Sequence, residues 1–359
     1  MLDIISARCT KFHKMSVYFI LSVTYPFPHS RTYFFDFLLF ECRLRHTFTM
    51  SDFNTLSLAN YRSAYAHEEM NPKRRSTMED CHRIIKTLGN DPSFSYFGVY
   101  DGHGGRQIVD FLEETLENNI NIELKLDDDA EIPERLTRAF LITDMQSRRM
   151  DITTSGATAV SALIKKEPNG SRSLYVANVG DSRAVLACRS SSGVSDELGL
   201  EYGHHTKYGV VARRLSYDHR AEDELEQKRI NDAGGFCARG RVLGILAVTR
   251  AFGDHGMKDF VTANPFISTT VMEVVQDFPF LILACDGVWD VFSDQEAVDL
   301  VIDTLEEAKE KNKSCNGGSN ENEEAVLRIA EASCASILVH ASIERGSGDN
   351  ITAIVVFLH

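Results

Sequence analysis

The chain has 359 residues, 43% of them hydrophobic and 25% charged, a folded composition with enough apolar material for a large core. Its 52 acidic and 38 basic residues leave a formal charge of −14, which argues against a nucleic-acid partner, because affinity for phosphate polymers comes from Lys and Arg neutralising them. An acid surplus attracts cations instead.

Residues 1 to 50 differ from the rest. They hold 11 aromatic residues and six Lys or Arg against three acids, a local charge of +3 that leaves −17 on the remainder. The longest apolar runs there, Val17 to Val23 and Tyr33 to Phe40, fall short of the roughly 18 residues a membrane span needs. Lys11, His13 and Lys14 before Met15 to Val23 mimic a secretory signal, but no small-residue cleavage site follows before Pro26 and Pro28. The segment reads as an unmatched extension, with Met50-Ser51-Asp52 as the functional start.

From about Ser57 to His359 there is no internal repeat or Pro-rich linker, so a single domain is expected. In chain order, β-branched and aromatic runs predict strands at Phe94 to Tyr100, Thr158 to Ile164, Leu174 to Val179, Ala184 to Ala187, Leu281 to Cys285 and Ile351 to Leu358. Helices are predicted at Gln107 to Ile120, where Ile108, Leu112, Leu116 and Ile120 recur every fourth residue, and at Glu222 to Ala233, stopped by Gly234-Gly235. Two more are predicted at Asp294 to Lys309, opened by the capping pair Ser293 and Glu296, and at Glu323 to Glu344. Ser190 to Val211 and the polar stretch Lys309 to Glu324 read as surface insertions. The pattern is α+β with antiparallel sheets. Eight cysteines without CxxC spacing, in a chain whose core needs no staples, point to a reduced, intracellular protein.

The chemistry sits at strand ends. Apolar runs open or close on Asp beside Gly at Tyr100-Asp101-Gly102, Gly180-Asp181, Cys285-Asp286-Gly287 and Gly348-Asp349. Strands of an antiparallel sheet end on shared rims, so these acids can converge. Two like charges 4 Å apart repel by about 4 kcal/mol at an effective dielectric near 20, and a bound dication removes that repulsion. Oxygen ligands without a Cys/His set at zinc spacing favour Mg²⁺ or Mn²⁺. In Asp101-Gly102-His103-Gly104-Gly105 a carboxylate, an exposed carbonyl and an imidazole able to donate a proton fall within five residues. Upstream, Lys73-Arg74-Arg75 and Met78-Glu79-Asp80 join a basic triplet to an acid pair.

Seven motifs, in order, carry a resemblance: Arg75-Ser-Thr-Met-Glu79-Asp80, Asp101-Gly-His-Gly-Gly105, Ser155-Gly-Ala-Thr-Ala159, Val179-Gly-Asp-Ser-Arg183, Arg241-Val-Leu-Gly-Ile-Leu-Ala-Val-Thr-Arg-Ala-Phe-Gly-Asp254, Cys285-Asp-Gly-Val-Trp-Asp290 and Gly348-Asp-Asn-Ile351. Over residues 57 to 359 the chain resembles the metal-dependent type 2C serine/threonine protein phosphatases, in particular small fungal members. The resemblance implies a four-layer αββα sandwich, two central antiparallel β-sheets flanked by helical pairs, with two Mg²⁺ or Mn²⁺ ions at one end and a weaker third. It implies that Asp101 bridges both metals, that the Gly102 carbonyl completes one site, and that Asp286 and Asp349 ligate the other. Glu79 and Asp80 would act through waters, and Asp181 and Asp290, with Asp286, would form the third site. Arg75 would hold the substrate phosphate and His103 would protonate the leaving oxygen. A mobile flap is expected between about Phe236 and Asn264.

The implied partners are phosphorylated proteins, with kinases of a stress-activated cascade as the fungal analogy suggests. The chain is expected to be a cytoplasmic or nuclear monomer without stable membrane insertion. Two alternatives are a non-enzymatic phosphoprotein-binding scaffold on the same fold, disfavoured because no motif acid nor Arg75 is lost, and a two-metal nuclease or nucleotide hydrolase, disfavoured by the acid balance and the absence of a basic stripe.

Overall fold

Strands whose residues are buried on both faces mark the centre of a layered molecule, and β-strands of that kind recur here. The structure, a computed structural model, describes residues 60–358 other than 153, 190–207, 275, 276, 278 and 317–319. The extension at 1–50 and most of the stretch Ser190 to Val211 lie outside the described residues. Met50–His359 is one compact unit.

The elements in order are β1 (Ser63–Glu69), β2 (Cys81–Ile85), β3 (Phe94–His103), α1 (Gln107–Leu124), α2 (Ile132–Arg149), β4 (Gly156–Lys166), β5 (Arg172–Val179), β6 (Arg183–Arg189) and β7 (Val210–Arg214). There follow α3 (Glu224–Asp232), β8 (Cys237–Ala238), β9 (Arg241–Val242), β10 (Phe252–Gly253), β11 (Phe266–Met272), β12 (Phe280–Ala284), α4 (Asp286–Trp289), α5 (Asp294–Asn316), α6 (Asn320–Glu344) and β13 (Ile351–Phe357). One sheet has the order β1-β13-β12-β6-β7 and the other β11-β5-β4-β3-β2, with β10 added against β4. All these pairings are antiparallel.

Alternation along the strands builds the layers. Ile354 and Val356 of β13 meet Leu281 and Leu283 of β12 and Phe97 and Val99 of β3 between the two sheets. The intervening Ala353, Val355 and Phe357 face the other way, against Val298 and Val301 of α5 and Leu338 and Val339 of α6. On the far side Tyr96, Tyr100 and Leu163 pack under α1 and α2, whose Ile108, Leu112, Leu116, Ile120 and Phe140 are fully buried. Each such aliphatic side chain contributes about 1.5–3 kcal/mol. The four layers are therefore helices, sheet, sheet, helices, as the resemblance implies.

The helix caps follow the sequence. Asp223 Oδ1 accepts from Glu226 N at 2.9 Å, Ser293 and Glu296 make their reciprocal bonds, and Gly234 at φ 84 ends α3. Two expectations are corrected. Lys309 to Glu324 is largely helical, since α5 runs on to Asn316 and α6 starts at Asn320, with Lys309 paired to Glu306 and Lys311 to Glu307 along the helix. Val210 and Val211 are not insertion but strand, opposite Arg189 and Cys188 of β6. Glu323–Glu344 of α6 is long and apolar enough to cross a membrane, yet its Cys334, Ala335, Leu338 and Val339 lie in the core.

Around α3 and the segment that follows it a small satellite core of Ala221, Ile230, Val242, Val248, Ala251 and Val261 includes much of the stretch expected as a flap. It is tied by Glu226, which accepts from Thr249 Oγ1 at 2.8 Å and pairs with Arg250 at 2.6 Å. Burial alone would raise the Glu226 carboxyl, but bonds from Arg250, Arg229 and Thr249 hold it at about 2. A carboxyl depressed in the folded state stabilises fully above its unfolded value near 4.5, and loses about 3 kcal/mol as pH falls toward 2. The stability difference between the wild type and Glu226→Gln, measured by urea unfolding, is expected to shrink as pH falls from 5 to 3; a constant difference would refute the assignment.

Candidate active site

One rim of the sandwich collects the acids. β3 runs through Asp101 to His103, paired with Thr158, Ala157 and Gly156 of β4. β12 ends at Ala284, so Cys285 and Asp286 stand at the start of α4, and Asp349 precedes β13. Asp101, Cys285 and Asp286 each present a ligand atom, all within 4.8 Å of one another. Burial, then Asp80, Asp286, Asp181 and Asp349, push the Asp101 carboxyl well above its usual range. Burial, then Asp181, Asp349, Asp290 and Asp80, do the same to Asp286. Asp80, 1% exposed, is raised by burial to about 7 although it accepts from Thr352 Oγ1 at 2.9 Å. As whole residues Asp101 and Asp286 are half-buried.

Neighbouring residues fix this arrangement. A Cβ on Gly102 would stand 2.5 Å from Glu79 O and 2.6 Å from Val109 Cγ2, so glycine alone lets β3 lie this close to the Glu79 backbone. Glu79 accepts from Gly105 N at 3.2 Å and from Thr77 Oγ1 at 3.1 Å. Arg75 Nη2 lies 2.5 Å from Asp349 Oδ2, in a half-exposed pair that brings the guanidinium to the acid rim. His103 Nε2 is 2.8 Å from Asp254 Oδ2.

Asp181 and Asp290 stand on either side of Arg220, a residue to which the motifs assign no role. Arg220 Nη2 donates to Asp290 Oδ1 at 2.7 Å, and its Nε is 3.0 Å from Asp181 Oδ2 without hydrogen-bond alignment. Asp181, raised to about 6 by burial and held below that effect by Arg220, is 7% exposed. Asn350 and Arg106 are further residues of the site without an assigned sequence role. Asn350 Oδ1 accepts from Glu79 N at 2.9 Å and its Nδ2 donates to Met70 O and Thr77 O at 2.8 and 2.9 Å. Arg106 Nη1 donates to Met78 O and Asp80 O, both at 2.9 Å. Together they hold the segment carrying Arg75, Glu79 and Asp80 onto β13 and α1.

The donor set suits a hard cation. Several carboxylates repel one another, and among the described residues Arg75 and Arg220 pair with the outer ones. Cys285 Sγ is no competitor for a soft metal: it accepts from Thr352 N at 3.2 Å, and burial followed by Asp80, Asp101 and Asp286 pushes the thiol well above its ordinary range. It stays a neutral thiol beside oxygen ligands, the selection pattern of Mg²⁺ and Mn²⁺.

Comparison with known proteins decides the family. A family model described as Protein phosphatase 2C matches residues 65–351. The chain belongs to the protein phosphatase 2C family. Protein phosphatase 2C homolog 1 of Saccharomyces cerevisiae is 34% identical over 303 residues, 81% of this chain and 92% of that protein. Protein phosphatase 2C homolog 1 of Schizosaccharomyces pombe is 32% identical over 314 residues, 85% of this chain and 78% of that protein. A solved serine-threonine phosphatase 2C from Toxoplasma gondii shares the fold at TM-score 0.57 and 18% identity, covering 82% of this chain and 94% of its own. A Caenorhabditis elegans sex determining protein does so at TM-score 0.64 and 23% identity, covering 83% and 65%. This protein phosphatase 2C is a metal-dependent serine/threonine protein phosphatase, and its substrates are phosphoproteins.

Proposed function

We propose that the phosphatase hydrolyses phosphoserine and phosphothreonine monoesters at the acid rim, with two Mg²⁺ or Mn²⁺ ions held by Asp101, the Gly102 carbonyl, Asp286 and Asp349. Glu79 and Asp80 act through waters, and Asp181, Asp290 and Asp286 form the weaker third site. The observation that carries this reading is the cluster of Asp80, Asp101, Asp181 and Asp286, whose charges burial and mutual repulsion disfavour until a cation compensates them. Phosphate-monoester hydrolysis needs accelerations approaching about 10²¹, roughly 29 kcal/mol, which no single side chain supplies. Paired divalent cations supply positive charge that acidifies water and neutralises phosphoryl oxygens. Arg75 clamps the phosphate through its planar fork, and Asp349 orients it until substrate arrives. His103 gives its proton to the Ser or Thr oxygen as the ester bond breaks.

Removal of metal tests this directly. Turnover of a phosphothreonine peptide is expected to stop with chelator and to return with Mn²⁺ or Mg²⁺; a metal-free preparation at full rate would overturn the reading.

The protein works as a monomer on phosphoproteins, among them kinases of a stress cascade, in the cytoplasm or nucleus and without membrane insertion. Cys81, Cys188, Cys237, Cys285 and Cys334 are free thiols, which supports a reducing compartment. The net charge of −14 supports protein rather than nucleic-acid substrates.

A further inference from the structure

The contact of His103 with Asp254 is built by three strands. In the β4 ladders Gly156 stands opposite His103 of β3 and opposite Gly253 of β10. A Cβ at Gly156 would stand 2.1 Å from Asp254 Oδ2 and 2.4 Å from His103 Nε2. The strand between acid and ring therefore keeps a window that no side chain can fill.

The backbone at Asp254 is equally particular. It is left-handed, φ 47 and ψ 39, a conformation disfavoured for most L-residues and tolerated best by Asp and Asn. Asp254 N donates to Ser155 O at 3.2 Å and Asp254 O accepts from Met257 N at 2.8 Å. Its side chain is 8% exposed against 31% for His103, so the carboxylate is shielded while the ring remains open to a substrate. Strain of this kind persists where the surroundings impose it, and such positions concentrate at functional sites.

We propose that Asp254 is the positioning residue of the proton donor: it takes the Nε2–H of His103 and so leaves Nδ1 as the ring atom that meets the leaving oxygen. This rests on the assignment of His103 as the donor. Which ring nitrogen reacts is set by the bond the other one makes. As the P–O bond to Ser or Thr breaks, its electron pair goes to the departing oxygen, which receives the Nδ1 proton. The ring is left neutral with Nε2–H on Asp254, and recovers its proton from solvent.

Asp254→Asn removes the charge at nearly constant volume, and Asn tolerates the left-handed backbone. Rates for a series of aryl phosphates of rising leaving-group pKa and for a phosphothreonine peptide would be measured at one Mn²⁺ concentration. The set comprises wild type, Asp254→Asn, His103→Ala and the double variant, with melting temperatures alongside. Asp254→Asn is expected to lose about 10–100-fold on the peptide, part of the 10²–10⁴-fold range of acid–base catalysis, and to lose little on nitrophenyl phosphate. In the His103→Ala background it should have no further effect, because residues acting as one unit are not additive. Gly156→Ala, which forces ring and acid apart without altering either, should show the same leaving-group selectivity. Equal losses on all substrates, additive losses in the double variant, or collapse of the fold in Asp254→Asn would each overturn the proposal. If His103→Ala is itself unselective, the donor assignment falls and the proposal with it; if His103→Ala is selective and Asp254→Asn is not, only the proposal falls.

Discussion

Asp286→Asn is expected to lower turnover of a phosphothreonine peptide by about 1,000-fold or more, roughly 4 kcal/mol of barrier, while the metal-free protein melts no lower than wild type. Both halves follow from the same geometry. Asp286 lies within reach of Asp101 and is surrounded by the charges of Asp181, Asp349, Asp290 and Asp80. With metal bound, that charge is a ligand, and asparagine supplies an oxygen without it. Without metal, the same charge is a source of repulsion, and its removal relieves the fold. The Mn²⁺-induced rise in melting temperature should shrink accordingly, since stabilisation by a ligand follows its affinity for the folded state. A variant with an undiminished Mn²⁺ shift would remove Asp286 from the metal site.

The second expected result is an inverted pH dependence. Asp80 is raised from 3.8 to about 7 and Asp181 to about 6, in each case by burial first. A carboxyl raised in the folded state holds a proton that the unfolded chain has released, so its stabilising contribution is complete below 3.8. It is lost as pH rises through 6 and 7. For Asp80 alone the loss is about 4 kcal/mol at 1.36 per unit. In chelator, stability measured by urea unfolding should therefore fall between pH 4.5 and 7.5. In Mn²⁺ the cation favours the ionised forms and the trend should reverse. Chelated protein that gains stability over this interval would show that the acids are not forced together as described.

What could be read from the chain depends on how local each cause is. β12 and β13 were legible because every residue is apolar or small and both faces are buried. α1 was legible from a clean stripe. β1, reading Ser-Ala-Tyr-Ala-His-Glu-Glu, was missed because all seven residues are half-buried and carry no alternation. α2 was missed because its buried face mixes Leu136, Ala139 and Phe140 with Arg135, Thr143 and Ser147, while Leu141, Ile142 and Met145 point outward. At the rim, Asp101 and Asp286 announced themselves by closing apolar runs and Asp349 by opening one. Arg220, Asn350 and Asp254 did not, because their partners lie 70, 271 and 151 residues away in the chain. No local pattern encodes such pairings.

β13 is the last strand described, yet it sits inside its sheet between β1 and β12. Its first turn brings Asp349, Asn350 and Thr352 against Arg75, Glu79 and Asp80. During synthesis the nascent polypeptide thus lacks both a seam of its core and part of its chemistry until the final codons of this stretch have cleared the ribosome. Products terminated before β13 would carry the unpaired edges of β1 and β12 and lack the residues that hold Arg75, Glu79 and Asp80.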